Sequence, residues 1–455
     1  MEYKVLGLDI SKNNACCHLL ENYPAGGLGN YWRKSARNAA EFYPRFYSNP
    51  KGERQKSLWD FVEFVRENKP TLAILEPTGI HYSRIFYQIL KTEGVEVKWV
   101  GHMELKRYRE GKNLPGHGKN DAVDALAMAA YPFDPEHLQS DGTLNERYFL
   151  LSQPEPVMEL RELVQQLEHL ARVQSPIVNY TRQRLTHEFP EAAFQKSNPG
   201  SYVPAIWGFL GDVPEHSSKS GLTLIRKKYA DSIVHHYGID INPITKCHAR
   251  WLAEISLEES RIEHQVIELL KREEFIPYME VFEMFGFGLR TGARLLTRCY
   301  PFESFLLPDC KEWIDREYRE VKQMDKSYNK GTVEVEFKPG DVKVTKKNRS
   351  RDAFKMRLGQ GTILESSGDG WIEKSSGSAI CRESLYLHVL TKIESSKGNL
   401  PDNLINQTLI TYRDNLKSQI DGQGKPVLRG KHIQAKLMSK VVNLLYSELL
   451  KRFKR

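Results

Sequence analysis

The sequence predicts an α/β domain at its N-terminal end followed by a mainly helical remainder, and three observations predict it. Short apolar runs of strand length recur in the first 100 residues, separated by stretches with apolar residues at helical spacing. Two long segments beyond residue 150 carry the helical period with charges between the apolar positions. The chain has 455 residues, enough for two or three domains and a substantial core. The boundaries read as 1–152 for the α/β domain, 153–274 for a helical linker with an insertion, and 275–455 for a C-terminal domain with a basic tail.

The first run, KVLGLDISK, is a strand that carries Asp9 near its end. Ala15 to Glu21 and Leu28 to Lys34 are expected to continue it as a three-stranded meander. Leu58 to Glu67 reads as an amphipathic helix, Thr71 to Glu76 as a strand, His81 to Glu93 as a helix and Val95 to Val100 as a strand. TLAILEPTG places Glu76 at a strand end, stopped by Pro77 and Gly79. Lys119 to Tyr131, an Ala-rich segment, reads as a helix, and a spacing of three sets Asp121 and Asp124 on one face of it. A single acid in such a place is ordinarily a solvated charge. Two acids that interrupt apolar strands and two on one helical turn form a set instead. Mg²⁺ prefers hard oxygen ligands, and two such ions can clamp the attacking and leaving oxygens of an in-line displacement, so the set points to Mg²⁺-dependent chemistry on phosphodiesters.

The formal charge is +8, from 66 Lys or Arg against 58 Asp or Glu, and it is unevenly spread. Residues 401–455 hold eleven basic and four acidic residues and end in KRFKR, while residues 341–357 hold seven and two. Both stretches suit a polyanion through counterion release, or else are solvated segments. Lys346, Lys347 and Arg349 are the candidate contacts in the second stretch. Cys16, Cys17, Cys247, Cys299, Cys310 and Cys381 have no CxxC spacing and no zinc-type cluster, which suggests reduced thiols in a cytoplasmic protein. His18 beside Cys16 and Cys17 fits a packed strand better than a metal site. No run of 18 apolar residues or signal peptide is seen, so no membrane span is expected.

Glu155 to Phe189 and Arg250 to Arg272 are expected as long antiparallel helices, either a spacer or dimerisation element or ordinary bundle helices. Ser197 to Ile244 between them looks like a locally folded insertion. In EMFGFGLRTGARLL, Gly286 and Gly288 precede a helical stretch, as in a helix-hairpin-helix whose backbone N–H groups approach a phosphate, or as in a plain turn between packed helices. Ser366, Ser367, Ser375, Ser376 and Ser378 lie in a Gly-rich region before a helix starting near Ala379, where turn and N-cap roles are the usual ones.

GLDISK, EPTG and KNDAVDA, together with the C-terminal module, resemble the DEDD transposases of insertion sequences, the bridge-RNA-guided recombinases related to Piv-type DNA invertases. In that C-terminal module a G-x-G hairpin, matched by Gly286 and Gly288, is followed by a Gly eight residues before a Ser-Gly pair, matched by Gly359, Ser367 and Gly368. Gly377, Arg382, Leu385 and Tyr386 fit its last element, with Ser378 and Cys381 in place of the usual Asn and Leu. A charged insertion of roughly 40 residues, from about Lys311 to Asp352, is long for a connection.

The resemblance implies an RNase H/RuvC-like α/β domain, a coiled-coil linker and a mainly α transposase domain. It implies Asp9, Glu76, Asp121 and Asp124 as Mg²⁺ ligands and Ser367 as a nucleophile that forms a phosphoserine, with Ser366 as runner-up. It also implies target and donor DNA and a noncoding guide (bridge) RNA as partners, an oligomer (dimer or tetramer) with a composite site, and a place in the cytoplasm near the nucleoid. Arg382 joins Gly286, Gly288, Lys346, Lys347 and Arg349 as candidate nucleic-acid contacts. A RuvC-like nuclease or junction resolvase needs the four acids without Ser367. A non-catalytic nucleic-acid-binding protein needs neither.

Overall fold

The computed structural model describes residues 3–34, 39–43, 56–77, 80–115, 120–150, 154–194, 203–307, 309–320, 325–329, 333–338, 341–366, 371–395, 398–419 and 427–454. Two compact units divide the chain, Met1–Gln153 and Pro154–Arg455.

Unit 1 runs β1 (Val5–Ile10), β2 (Ala15–Leu20), α1 (Leu28–Lys34), β3 (Ala40–Phe42), α2 (Leu58–Asn68), β4 (Leu72–Leu75), α3 (Ile80–Thr92), β5 (Glu96–Trp99), α4 (His102–Gly111) and α5 (Asp121–Ala130). The strands form one mixed sheet in the order β3-β2-β1-β4-β5, with β2 antiparallel to β1 and to β3, and β4 parallel to β1 and β5. Strand alternation explains the layers. Leu6, Leu8 and Ile10 of β1 and Ala73 and Leu75 of β4 pack with Phe61 and Val65 of α2 and Phe86 and Leu90 of α3. Val5 of β1 and Leu72 and Ile74 of β4 face the other way, into a core with Leu105 of α4 and Val123 and Leu126 of α5.

The expected strand at Leu28–Lys34 is a helix. Gly26 and Gly27, at φ +84° and +85°, turn the chain away from the sheet, and Leu28 and Trp32, four apart, are then buried together on one helical face. The third strand is Ala40–Phe42, paired with Ala15–Cys17. Helix α4 was not anticipated at all.

Unit 2 is mostly helical. Its elements are α6 (Glu155–Glu188), α7 (Ala205–Leu210), α8 (Lys219–Ala230), α9 (Ile233–His236), α10 (Pro243–Leu270), α11 (Ile276–Met284), α12 (Leu289–Cys299), β6 (Ile314–Glu320), β7 (Asp325–Asn329), β8 (Val333–Phe337), β9 (Val342–Asn348), α13 (Arg349–Arg357), β10 (Gly361–Ser366), β11 (Trp371–Ser376), α14 (Ala379–His388), α15 (Leu404–Lys417) and α16 (Gly430–Phe453). Helices α6 and α10 are the two long helices expected, and they pack antiparallel, the C-terminal end of α6 meeting Asn242 at the start of α10 through Glu188. The insertion between them is three short helices around Trp207, Leu210 and Ile225, sharing a core with Leu185 and Phe189. At the other end Val157, Leu160 and Leu167 of α6 and Ile262 and Val266 of α10 join the core of the C-terminal helices.

The charged insertion near 311–352 is a two-stranded arm. Strand β6 pairs antiparallel with β9, from Ile314 opposite Asn348 to Glu320 opposite Val342, and β7 with β8, from Asp325 opposite Phe337 to Asn329 opposite Val333. The serine-rich region is a second hairpin, β10 with β11. Ser366, Ser375 and Ser376 therefore stand on strands rather than in turns, while Ser378 is the N-cap of α14 and accepts from the Cys381 amide. Among the described residues no helix is long and apolar enough to cross a membrane.

Candidate metal centre and nucleic-acid contacts

The same alternation that builds the sheet aims the acids. Val5, Gly7 and Asp9 share one face of β1, and Leu72, Ile74 and Glu76 share that face at β4. Leu8 pairs in parallel with Leu75, so Asp9 and Glu76 come one step later, side by side at the carboxyl ends of the two central strands. Helix α5 lies across this face. Its approach depends on Gly7, because a Cβ there would stand 2.1 Å from the Ala125 carbonyl oxygen and 2.3 Å from the Ala129 amide nitrogen. Asn120 caps α5 by accepting from the Ala122 and Val123 amides, which places Asp121 and Asp124 in the first turn. Asp9 and Glu76 are 7 % exposed and Asp124 8 %, while Asp121 is half-buried.

Electrostatics ties the four together. Burial pushes the Asp124 carboxyl above its ordinary range; Arg109 opposes this, and Glu76 and Asp121 add to it. The Cys16 thiol, opposite Asp9 on β2, is pushed up to about 12 by burial and then by Glu41, Asp121 and Asp9. Two side chains reach these acids. Arg109 of α4 donates to Asp124 Oδ1, and His102 Nδ1 contacts Glu76 Oε1. Glu41, His102 and Arg109 are thus residues of the site that the sequence did not single out. Glu41 sits across from Cys16 on the edge strand β3, and the other two reach the acids over 26 and 15 positions of chain.

Among the described residues no three His, Cys, Asp or Glu side chains already converge as a metal-binding group. The donor set still fits a divalent cation, since Asp9, Glu76, Asp121 and Asp124 are hard oxygen donors gathered where the ends of β1 and β4 meet the first turn of α5.

The nucleic-acid candidates separate into distinct environments. Gly286, at φ +68°, makes the turn from α11 to α12, and a Cβ on it would stand 2.8 Å from Pro401 Cδ; Gly288 is the N-cap of α12 with open space around it. Lys347 is held by Glu317 at 2.7 Å, and Arg349 by Asp315 at 3.0 Å and Glu317 at 3.2 Å. Lys346 points to the other face of the arm, exposed and opposite Arg316, and neither is in an ion pair among the described residues. Arg382 donates to the Gly359 carbonyl at 3.0 Å, bracing the root of the β10–β11 hairpin. The basic end of the chain is the last turn of a core helix: Lys451 pairs with Glu448, Arg452 with Glu280 and Lys454 with Glu312, while Phe453 packs on Tyr278.

Ser366 ends β10, opposite Trp371. It stands five residues, roughly 17 Å along the strand, from Gly361 at the root. Ser367 and Gly368 lie outside the described residues.

Residues 48–190 match the family model DEDD_Tnp_IS110, described as a transposase, a span that holds Glu76, Asp121 and Asp124. The match supports an IS110-family transposase, hence a DNA-recombining activity in general terms and DNA as substrate. No curated protein matches the chain.

Proposed function

We propose that the chain is an RNA-guided DNA recombinase of an insertion sequence that cuts and rejoins strands through a phosphoserine. The observation that carries this reading is the placement of Asp9 and Glu76 at the ends of β1 and β4, on the sheet face that α5 covers, with Asp121 and Asp124 in the first turn of α5, within and beside a segment that matches a transposase family. The sheet order, with β2 antiparallel and β4 and β5 parallel to β1, supports an RNase H/RuvC-like class for unit 1. Asp9, Glu76, Asp121 and Asp124 would hold Mg²⁺, which when bound neutralises charge developing on a phosphate. From the protein side Arg109 donates to Asp124 and His102 contacts Glu76.

Ser367 is the proposed nucleophile. Its oxygen forms a bond to phosphorus as the bond from phosphorus to a ribose oxygen breaks, the hydroxyl proton leaves, and the departing oxygen gains one. The linkage keeps the phosphoester for rejoining to a second strand. Target DNA, donor DNA and a guide RNA are the proposed partners, with the site completed between copies of the chain; the exposed Arg316 and Lys346 supply cations for such polyanions.

The test incubates full-length protein, the RNA transcribed beside its gene, and both DNAs with Mg²⁺, then denatures and looks for DNA covalently attached to protein. Wild type and Ser366→Ala give the adduct, whereas Ser367→Ala and Asp124→Asn do not. An adduct with Ser367→Ala moves the nucleophile, and cleavage with no adduct in wild type establishes a metal nuclease instead. As a readout apart from activity, Mg²⁺ raises the melting temperature of wild type and not of an Asp9→Asn/Asp121→Asn variant.

A further inference from the structure

One face of α12 carries Arg290, Arg294 and Arg298 at intervals of four, and the first two meet acids. Arg290 lies 2.7 Å from Glu263 and 3.4 Å from Glu259 of α10. Arg294 pairs with Glu168 of α6 and donates to Ser384 Oγ at 2.9 Å. The third departs from this pattern. Helix α12 packs against both α6 and α13, which brings Arg298 within electrostatic reach of two more arginines, Arg161 of α6 and Arg357, the last residue of α13. Among the described residues none of the three is in a hydrogen bond or ion pair through its side chain, and the Nε of Arg161 is buried without a partner.

We propose that Arg161, Arg298 and Arg357 form a phosphate-binding site at the root of the β10–β11 hairpin. Three guanidinium groups from three elements, brought together without a carboxylate, match the several oxygens of a phosphate, which arginine forks bind in pairs. Carbonyls in the last turns of α12 and α13 offset only part of the repulsion. The charge state reports the same crowding. Arg161 is driven down to about 10 by burial and then by Arg298 and Arg357, and Arg357 is lowered by burial and Arg298, with no acid opposing in either case. Location gives the site its use. Arg357 is followed within four residues by Gly361, where the hairpin bearing Ser366 begins, so a phosphate held here would be held at the base of that hairpin.

This site goes beyond the reading above and does not need the metal, so it is measured in EDTA on the full-length protein, where the four acids play no part. At fixed ionic strength, exchanging chloride for inorganic phosphate raises the melting temperature of wild type. Arg298→Gln, and separately Arg161→Met, lower the affinity for phosphate at least tenfold, and in chloride each melts no lower than wild type because like-charge repulsion is relieved. A 20-nucleotide DNA and an RNA of the same length separate the sources of phosphate: tenfold weaker binding by Arg298→Gln marks the nucleic-acid backbone as ligand, and a response to inorganic phosphate alone marks the free anion. An Arg298→Gln protein that melts lower than wild type in chloride and responds to phosphate as wild type does would overturn the proposal.

Discussion

Gly7→Ala is the substitution that most directly tests how the acids are brought together. A methyl group at this position would stand 2.1 Å from the Ala125 carbonyl oxygen and 2.3 Å from the Ala129 amide nitrogen, both backbone atoms of α5. No side chain can swing away, so the helix must retreat by more than 1 Å to restore ordinary contact, and it carries Asp121 and Asp124 with it. Forcing a methyl group into a packed core typically costs 1–3 kcal/mol, and with backbone on the far side the upper end, about 3 kcal/mol, applies. That is roughly a 150-fold change in the folding equilibrium. For a unit of 153 residues it lowers the melting temperature by roughly 6–12 °C. The control is Gly111→Ala at the end of α4, where a Cβ meets nothing within 4 Å, so the higher helix propensity of alanine leaves stability equal or slightly raised. Thermal unfolding of the two variants, with and without Mg²⁺, is the assay. A Gly7→Ala protein that melts with wild type would mean that α5 does not seat on β1 in this way.

Three further perturbations test separate parts of the structure. Arg109→Gln removes the cation from a pair whose side chains are only 16 % and 11 % exposed, which destabilises unit 1 by about 3 kcal/mol without divalent cation and enlarges the stabilisation that Mg²⁺ then gives; an unchanged melting curve would show that Arg109 does not balance Asp124. His388 lies buried against Phe287, and burial, then Lys392, lowers it to about 4. The unfolded chain takes up its proton near pH 6.5 and the folded chain only near 4, so stability present above pH 6.5 is lost as pH falls through that window, in total about 3 kcal/mol. His388→Phe removes that share of the slope in denaturant titrations at pH 7, 5.5 and 4.5, and an unaltered slope would refute the assignment. On the arm, Lys346→Ala reduces the salt dependence of duplex DNA binding by about 0.9 in the log–log slope, more than Lys347→Ala, whose ammonium is already held by Glu317; equal slopes for the two variants would show that the pairing does not matter.

What the sequence disclosed depended on whether the determining contacts were local. Strand alternation and helical period are written in neighbouring residues, so β1, β4, α2, α3, α5, α6 and α10 were legible, as were the four acids at strand ends and on one helical turn. Leu28–Lys34 misled because LGNYWRK is short and mixes strand-favouring aromatics with a glycine; what decides its state is the pair Gly26 and Gly27 before it and the core that receives Trp32. Helix α4 buries only Leu105 and Tyr108, too little periodicity to detect, yet it delivers Arg109 and His102 to the acids. The arm carries a period-2 signal in VEVEF and VKV, but its dense charges make it read as a charged insertion, and Ile314, Tyr318, Val342 and Val344 are exposed and so mark no core face. The three arginines were illegible for the same reason as Arg109: their proximity is a product of packing among α6, α12 and α13, far apart in the chain.

Each unit gathers side chains of one sign, carboxyls in unit 1 and guanidinium groups in unit 2, and this points to ligands more directly than either motif alone. In unit 1 Asp9, Glu76 and Asp124 are 7–8 % exposed with Asp121 beside them, and among the described residues Arg109 donates to Asp124 and His102 contacts Glu76. In unit 2 three guanidinium groups meet no carboxylate, although the neighbouring Arg290 and Arg294 on the same helix are both satisfied. Like charges gathered in this way repel one another, and a bound counter-ion relieves that repulsion. Excess negative charge around hard oxygen donors calls for a cation, and excess guanidinium calls for an oxyanion. Under the proposed function each cluster, taken by itself, has a ligand of matching chemistry: a divalent cation for the carboxyls of unit 1 and a phosphate for the guanidinium groups of unit 2.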